Sequence, residues 1–124
     1  MRYMLDANAF ILLLTGHRPT MARAAECEEG DLAISAVAFA EVAHGTASGK
    51  APPPAVLRRA SERIEVLPFD VAAAHAYAKL NFRRASFDRL IAAHALSSGL
   101  VLVTADLCDF NDVPGLRTEN WAGV

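Results

Sequence analysis

The sequence predicts a single α/β domain, residues 1–124, in which helices cover both faces of a central, mainly parallel sheet of four to five strands. Short apolar runs alternate along the chain with longer segments of helical pattern, which is the arrangement that builds parallel sheets. Acidic or serine residues stand where an apolar run gives way to a helix, as helix caps do. The chain has 124 residues, 53% of them hydrophobic, which is enough for one domain with its own core.

Composition excludes several classes of protein. The formal charge is −2 and the isoelectric point is near 6.0, so any contact with nucleic acid must use a local basic patch. Cys27 and Cys108 lie far apart and outside any metal-ligand spacing, which suits a reducing cytosol. The sequence shows no signal-peptide pattern and no apolar run of about 18 residues, so we expect a cytoplasmic protein without a membrane span.

The first half of the chain reads as strand, two helices, strand and two helices. Residues 2–5 form the first apolar strand, which ends at a carboxylate. Two helices follow at Ala9–Thr15 and Thr20–Glu29, each with a glycine behind it as a stop signal. Asp31–Ile34 is the second strand, and Ser35 is placed to cap the next helix.

That third helix is predicted to run from Ala36 to His44 and to end at Gly45. Residues 46–54 are rich in proline and small residues, but they are too few to separate two domains, so we interpret them as a loop. A fourth helix covers Ala55–Arg63, and Ile64–Leu67 is the third strand.

The second half repeats the alternation. Asp70 caps a helix over Val71–Leu80, and Ser86 caps another over Phe87–Ser98, which a glycine ends. Leu100–Val103 is an uninterrupted apolar strand. After it come a polar turn at 106–112 and a short final strand at 116–118.

Four carboxylates occupy comparable positions between the apolar runs, and each also has a purely structural interpretation. Asp6 follows the first strand but would equally serve as a helix cap. Glu41 interrupts an almost wholly apolar helix, where it is either solvent-facing or buried. Asp88 stands in a first helical turn, which the helix dipole favours, and Asp106 could be an ordinary turn residue.

Because the carboxyl ends of parallel strands meet at one edge of a sheet, we expect these four acids to converge. Unpaired carboxylates at close range repel one another, and a divalent cation removes that cost. Oxygen ligands suit Mg²⁺ or Mn²⁺, either of which could activate water for the hydrolysis of a phosphodiester. Asn8 and Thr104 are candidates for holding ligands or waters in a second layer.

A basic cluster accompanies the third acid. It consists of Lys79, Arg83, Arg84 and Arg89. A cationic rim beside an acidic metal pocket would bind a nucleic-acid backbone through its phosphates. The plainer interpretation is a solvated helix end, which is what most charged runs are.

Four short motifs, in order along the chain, resemble those of PIN-domain ribonucleases, and in particular VapC-type toxins of toxin–antitoxin pairs. The first three contain Asp6, Glu41 and Asp88, and the fourth contains Asp106. They are Met4–Asn8, Ala40–Gly45, Phe87–Ala95, and Leu102–Phe110 followed by Val113–Leu116 and Trp121.

This resemblance implies a PIN-like three-layer α/β/α sandwich and a metal-dependent endoribonuclease toxin. By resemblance, Asp6, Glu41, Asp88 and Asp106 would bind one or two Mg²⁺ or Mn²⁺ ions for RNA hydrolysis, with Asp109 as a further candidate ligand. It further implies a cytoplasmic homodimer, neutralised by a cognate VapB-type antitoxin, that acts on transfer RNA or other structured RNA.

The sequence departs from the family pattern in two places. Ala7 stands where relatives usually have a threonine, which removes a hydroxyl beside the first acid. The segment before Asp88 is short, so substrate contacts cannot be carried over to residues 81–85.

Two other functions stay open at this point. A domain that binds RNA or protein without catalysis could keep the same pocket. An aspartate-based phosphatase or receiver-like domain has less support, because Asn8 replaces the second aspartate of the former and no lysine follows Lys79 for the latter. The apolar segments 10–14 and 37–42 are predicted to offer a surface to an antitoxin helix or a second copy.

Overall fold

A computed structural model describes residues 1–123 as five strands in one sheet, with helices between them. The strands are β1 Tyr3–Leu5, β2 Leu32–Ser35, β3 Glu65–Leu67, β4 Val101–Val103 and β5 Thr118–Glu119. The helices are α1 Ala7–Leu14, α2 Arg18–Ala25, α3 Ala36–Ala47, α4 Pro54–Arg63, α5 Val71–Ala78 and α6 Phe87–Ser98. A 3₁₀ turn covers Leu107–Asp109.

The sheet is parallel throughout and has the order β3-β2-β1-β4-β5. The chain moves outward from β1 to β3 and then returns to the other side of β1, so the direction of winding reverses between β1 and β4. Ligands of open α/β sheets bind at the carboxyl ends of the strands at such a switch point. The order also differs from the 2-1-3-4-5 of receiver-like sheets, which argues against the receiver alternative.

The direction of winding places the helices in two outer layers. Right-handed crossovers put α1 to α4 on one face and α5 and α6 on the other. The sheet between them is completely buried at its centre, where Met4, Leu5, Ile34 and Leu102 have no exposed surface. This is the predicted α/β/α sandwich, and the pairing of all five strands confirms the parallel sheet.

The predicted helix caps are all present. The side chains of Asp6, Ser35, Asp70 and Ser86 each accept a hydrogen bond from a backbone N–H in the first turn of the helix that follows. The range of α6 agrees with the prediction at both ends, because Gly99 adopts the left-handed conformation (φ 68°) that ends helices.

Several predicted boundaries were wrong. The first helix begins at Ala7 rather than Ala9, immediately after its cap, and the second is α2 rather than 20–29. The strand predicted at 116–118 lies at Thr118–Glu119. Helix α5 ends at Ala78 and not at Leu80.

The prediction that α3 ends at Gly45 was also wrong. The helix continues to Ala47, and the glycine with a positive φ is Gly49 (φ 92°). Glycine signals a helix end only where the backbone turns left-handed, and Gly45 does not.

The apolar segments predicted to form a docking surface are partly core. Phe10 is fully buried and its ring packs against Phe39 at 6.3 Å between centroids, while Val42 is also buried. Residues 11–14 keep half-exposed side chains, and in the second segment Val37 and Phe39 are half-buried and Ala40 is exposed, so parts of both segments remain open to a partner. Within the described chain, every helix is too short or too polar to cross a membrane.

Candidate active site at the carboxyl edge of the sheet

The first acid lies directly at the switch point. Asp6 follows β1, and its backbone N–H donates to the carbonyl of Val103 in β4 (3.0 Å). Its side chain is 5% exposed, and one oxygen, Oδ1, accepts from the Ala9 N–H (2.8 Å). The capping role and the site role therefore coexist, because the cap fixes the carboxylate at the edge of the sheet.

The hydroxyl of Thr104 connects two of the acids. Thr104 is completely buried after β4 and hydrogen-bonds to the Asp6 carboxylate. Its oxygen accepts from the backbone N–H of Asp106 (3.0 Å). The connection thus sets the position of the loop that leaves β4 relative to Asp6. The other predicted second-layer residue, Asn8, is exposed on α1.

Glu41 reaches the same edge from α3. It is half-buried, and its Oε1 is buried without a hydrogen-bond partner among the described residues. Burial raises the pKa of Glu41, and the negative charges of Asp88 and Asp6 raise it further. A buried carboxylate oxygen without a partner costs free energy unless a cation or a proton compensates.

Asp88 is the second residue of α6 and is half-buried. Burial raises its pKa, Asp109 adds to the effect, and the Arg89 guanidinium opposes it. The pKa of Asp6 is also raised, chiefly by burial and also by Asp88 and Asp106, while its hydrogen bonds oppose the shift.

The fourth acid is exposed and paired with a fifth. The side chain of Asp109 hydrogen-bonds to Asp106 and raises its pKa, and the charge of Asp88 raises it slightly further. Asp109, which follows Cys108 in the 3₁₀ turn, therefore belongs to the cluster. The five carboxylates interact electrostatically as one group, in which the negative charge of each makes ionisation of its neighbours less favourable.

The donor set suits a hard divalent cation, since it consists of carboxylate oxygens and includes one that is buried and unpartnered. Within residues 1–123, however, no three acidic, histidine or cysteine side chains are already close enough together to hold one ion. The acids raise one another's pKa values, so they lie within electrostatic range of one another around the edge of the sheet. We therefore regard the residues as fitting the ion without being pre-formed for it.

Arg89, near the start of α6, hydrogen-bonds to two residues of the loop between β4 and β5. Its Nη1 donates to Oδ1 of Asp112 (2.9 Å), and its Nη2 donates to the carbonyl of Asp109 (2.8 Å). The side chain is 16% exposed. The ion pair lowers the pKa of Asp112. Sequence reasoning missed Asp112, because the two partners are 23 residues apart and no local pattern connects them.

The predicted basic cluster is divided between two grooves. Arg83, Arg84 and Arg89 line an open groove of about 730 Å³ together with Asp88 and Asp109. Lys79 instead lines a separate groove between α5 and α6. The structure therefore brings two solvent-exposed arginines beside the acids, occupies the third in the loop contact, and leaves the lysine apart.

A buried histidine supports the helices that carry two of the acids. His94 Nδ1 lies 2.8 Å from Oγ of Ser35, the cap of α3, and the ring also hydrogen-bonds to the carbonyl of Pro68. Burial lowers the pKa of His94 and thereby favours the neutral ring, which can accept a hydrogen bond from the Ser35 hydroxyl. The sequence indicated only a packed or surface histidine, and its partner 59 residues away could not be anticipated.

Comparison with known proteins gives one consistent result. A family model described as PIN domain matches residues 3–116. The tRNA(fMet)-specific endonuclease VapC of Shigella flexneri is 32% identical to this chain, over 98% of this chain and 99% of that protein.

The fold comparison agrees with the sequence comparison. The structure of VapBC2 from Rickettsia felis bound to a fragment of promoter DNA superposes with a TM-score of 0.84, at 26% identity, and covers 98% of this chain and 99% of that one. DNA-bound VapBC from Salmonella typhimurium gives a TM-score of 0.79 at 29% identity, with 98% of each chain covered. Sequence and fold thus match the same group of proteins over nearly their full length.

Proposed function

The chain belongs to the PIN domain family, and on that premise we propose that it is an endoribonuclease toxin of the VapC type, neutralised by a cognate antitoxin. The observation that carries the proposal is the group of Asp6, Glu41, Asp88 and Asp106 around the switch point of the sheet. Carboxylates arranged in this way serve metal-assisted hydrolysis of phosphodiesters.

The substrate we propose is transfer RNA. Two relatives at 30–32% identity are named as tRNA(fMet)-specific endonucleases, and both are matched over 98% of this chain. The exposed Arg83 and Arg84 beside the acids supply positive charge for an RNA backbone. Arg89 contributes to the groove mainly by holding its wall in place.

We further propose that the acids bind Mg²⁺ or Mn²⁺. Asp6, Glu41, Asp88 and Asp106 would hold the ion, and Asp109 would assist. Such an ion activates water and neutralises charge on the phosphate being cut. The chain's own part is to position the oxygens, and it does so through the Ala9 and Thr104 hydrogen bonds to Asp6.

The proposed assembly follows from the same relatives. The neighbours of known structure include VapBC complexes, so we propose a VapB-type antitoxin as the partner of this chain and a homodimer as its toxin unit. We propose that the chain functions as one domain over residues 1–124, since the first relative aligns with 98% of it. We propose that it acts in the cytoplasm, where a transfer-RNA substrate would be found.

The proposal is tested by cleavage of a tRNA(fMet) transcript by the purified protein, with Mn²⁺ or with EDTA. We expect cleavage in Mn²⁺ only, and we expect Asp6→Asn to lower its rate by roughly 100-fold or more, since the ion loses a ligand. Asparagine caps helices as well as aspartate does, so the fold should be kept.

Asp70→Asn is the matched control. Asp70 caps α5 with nearly the same geometry, accepting from the Ala73 N–H at 2.9 Å, but it lies outside the acid cluster. Cleavage by Asp70→Asn should equal that of the wild type. Equal, metal-dependent cleavage by Asp6→Asn would overturn the assignment of the site. Failure of the folded wild type to cut any RNA in Mn²⁺ would instead favour a binding domain without catalysis.

A further inference from the structure

An apolar cleft opens beside the acid cluster. Phe87, the first residue of α6, is 57% exposed and lines a cleft of about 490 Å³. Tyr77, Ala85, Ser86 and Leu90 complete its walls. Single exposed apolar residues need no explanation, but a concave surface formed by two aromatic rings and a leucine is typical of a binding site.

The cleft adjoins the groove that contains Asp88, and two tilted aromatic rings in contact lie between them. Tyr77 lines the cleft and Phe82 lines the groove, and their ring centroids lie 5.1 Å apart. Ser86 lines both. A bound chain could therefore pass from one depression to the other without leaving the protein surface.

On the far side of these two rings, the groove that contains Asp88 carries exposed positive charge. Arg83 and Arg84 line it and are exposed, and neither forms an ion pair with another described residue. Single-stranded RNA needs this combination, because its phosphates bind cations while its unpaired bases stack on aromatic rings.

We propose that the cleft is a subsite for one unpaired base of the RNA, which stacks on Phe87 while the neighbouring phosphates contact Arg83 and Arg84. This inference rests on the proposed ribonuclease function and adds the place where the protein would recognise a base of its substrate. The base belongs to a nucleotide next to the one whose phosphodiester lies at Asp88. The enzyme would therefore require a splayed, single-stranded segment at its cleavage site.

The test is the affinity of a fluorescently labelled tRNA(fMet) transcript, measured by anisotropy in EDTA so that the RNA binds without being cut. We expect Phe87→Ala to weaken binding by about 5- to 100-fold, the range for loss of one stacked base, and Phe87→Tyr to bind like the wild type. Stacking involves no counterions, so the slope of log affinity against log salt should stay unchanged in Phe87→Ala.

Two control variants separate this effect from others. Val71→Ala removes a comparably exposed apolar side chain (72%) from the first residue of α5, outside the cleft, and should leave affinity unchanged. Arg84→Ala removes a phosphate contact and should make the salt slope shallower by about 0.7 to 0.9.

Two results would overturn the subsite while leaving the nuclease intact. The first is full affinity in Phe87→Ala while the wild type binds and cuts. The second is full affinity in Phe87→Leu, which would mean that apolar filling suffices without stacking. If the first result comes with a change from dimer to monomer in Phe87→Ala by light scattering, the cleft is assigned to contact between copies. A wild type that neither binds the RNA nor cuts it in Mn²⁺ overturns both proposals.

Discussion

Arg89 joins parts of the candidate site that are distant in sequence, since one guanidinium holds both the Asp112 side chain and the Asp109 carbonyl beside the start of α6. We expect Arg89→Ala to destabilise the fold by only about 1 kcal/mol, because the contact lies at the surface. We expect cleavage to fall by about 10- to 100-fold, because the loop that carries Asp106 and Asp109 loses its anchor.

The measurement that tests this is Mn²⁺ affinity by calorimetry together with the rate of cleavage. Arg89→Lys should recover part of the loss, since lysine can satisfy one of the two acceptors but not both. Arg84→Ala is the control: it should weaken RNA binding and leave Mn²⁺ affinity as in the wild type. Unchanged Mn²⁺ affinity in Arg89→Ala would contradict the anchoring role.

Glu41 is a second residue whose effect can be separated from the fold. Its Oε1 is buried and has no partner in the described chain, and its pKa is raised by burial and by Asp88 and Asp6. Glu41→Gln removes the charge and keeps the shape. In EDTA at pH 7 the variant should melt at a higher temperature than the wild type, and millimolar Mn²⁺ should raise its melting temperature less.

Thermal unfolding with and without Mn²⁺ gives both the melting temperature of the metal-free protein and its increase on binding Mn²⁺. Glu62→Gln, at an exposed position on α4, should behave as the wild type in both conditions. If Glu41→Gln gains as much from Mn²⁺ as the wild type does, the carboxylate is not a ligand.

At the scale of elements, Ser35 shows how the helices are held at the site. Its hydroxyl accepts from the Val37 N–H (3.1 Å) to cap α3 and also bonds to His94 of α6. We expect Ser35→Ala to lower the free energy of unfolding by about 2 kcal/mol, since it removes a cap and leaves a buried ring nitrogen unpaired.

Ser86→Ala is the matched comparison for this cap. Ser86 caps α6 at the surface through a longer hydrogen bond, 3.3 Å to the Arg89 N–H, and has no buried side-chain partner among residues 1–123. Urea unfolding should give a loss of about 0.5 to 1 kcal/mol for it. Equal losses in the two variants would mean that the His94 contact contributes nothing.

Elements with a local signal at both ends were predictable from sequence, and others were not. Helix α6 has a serine cap and a left-handed glycine behind it, so its range was predicted correctly. Helix α3 contains Gly45, whose conformation depends on packing that the sequence does not reveal, and its predicted end was wrong. In the same way, the positions of the four acids between apolar runs were enough to propose them as a site, whereas no pattern pointed to the Arg89–Asp112 pair or the Ser35–His94 pair.

At the scale of the whole molecule, the acid cluster makes the metal-free protein sensitive to pH. Burial and neighbouring acids raise the pKa of Asp88 above its ordinary 3.8, so the folded state holds this proton more tightly than the unfolded state. The stability that the bound proton provides is complete below pH 3.8 and is lost as the pH rises through the raised pKa of Asp88. Asp6, Glu41 and Asp106 act in the same direction.

His94 acts in the opposite direction, because its pKa is lowered below the ordinary 6.5. The contribution of His94 to stability is present above pH 6.5 and is lost as the pH falls through its lowered pKa. Comparison with Asp88→Asn isolates the acids, since both proteins contain His94. By urea unfolding in EDTA, the variant should gain stability over the wild type as pH rises from 4 to 8. A constant difference across that range would contradict the mutual repulsion of the cluster.

Three consecutive residues at the start of α6 lie in three different environments. Phe87 lines the apolar cleft, Asp88 belongs to the acid cluster, and Arg89 contacts the loop between β4 and β5. Successive residues of a helix point about 100° apart, so their order along the chain fixes which surroundings each side chain meets. A residue inserted or deleted between Phe87 and Arg89 would turn the side chains after it by about 100° relative to those before it, so the three could no longer all meet their present surroundings. Natural variation in length should therefore accumulate in residues 81–85, upstream of the cap, whereas the first turn of α6 should vary by substitution alone.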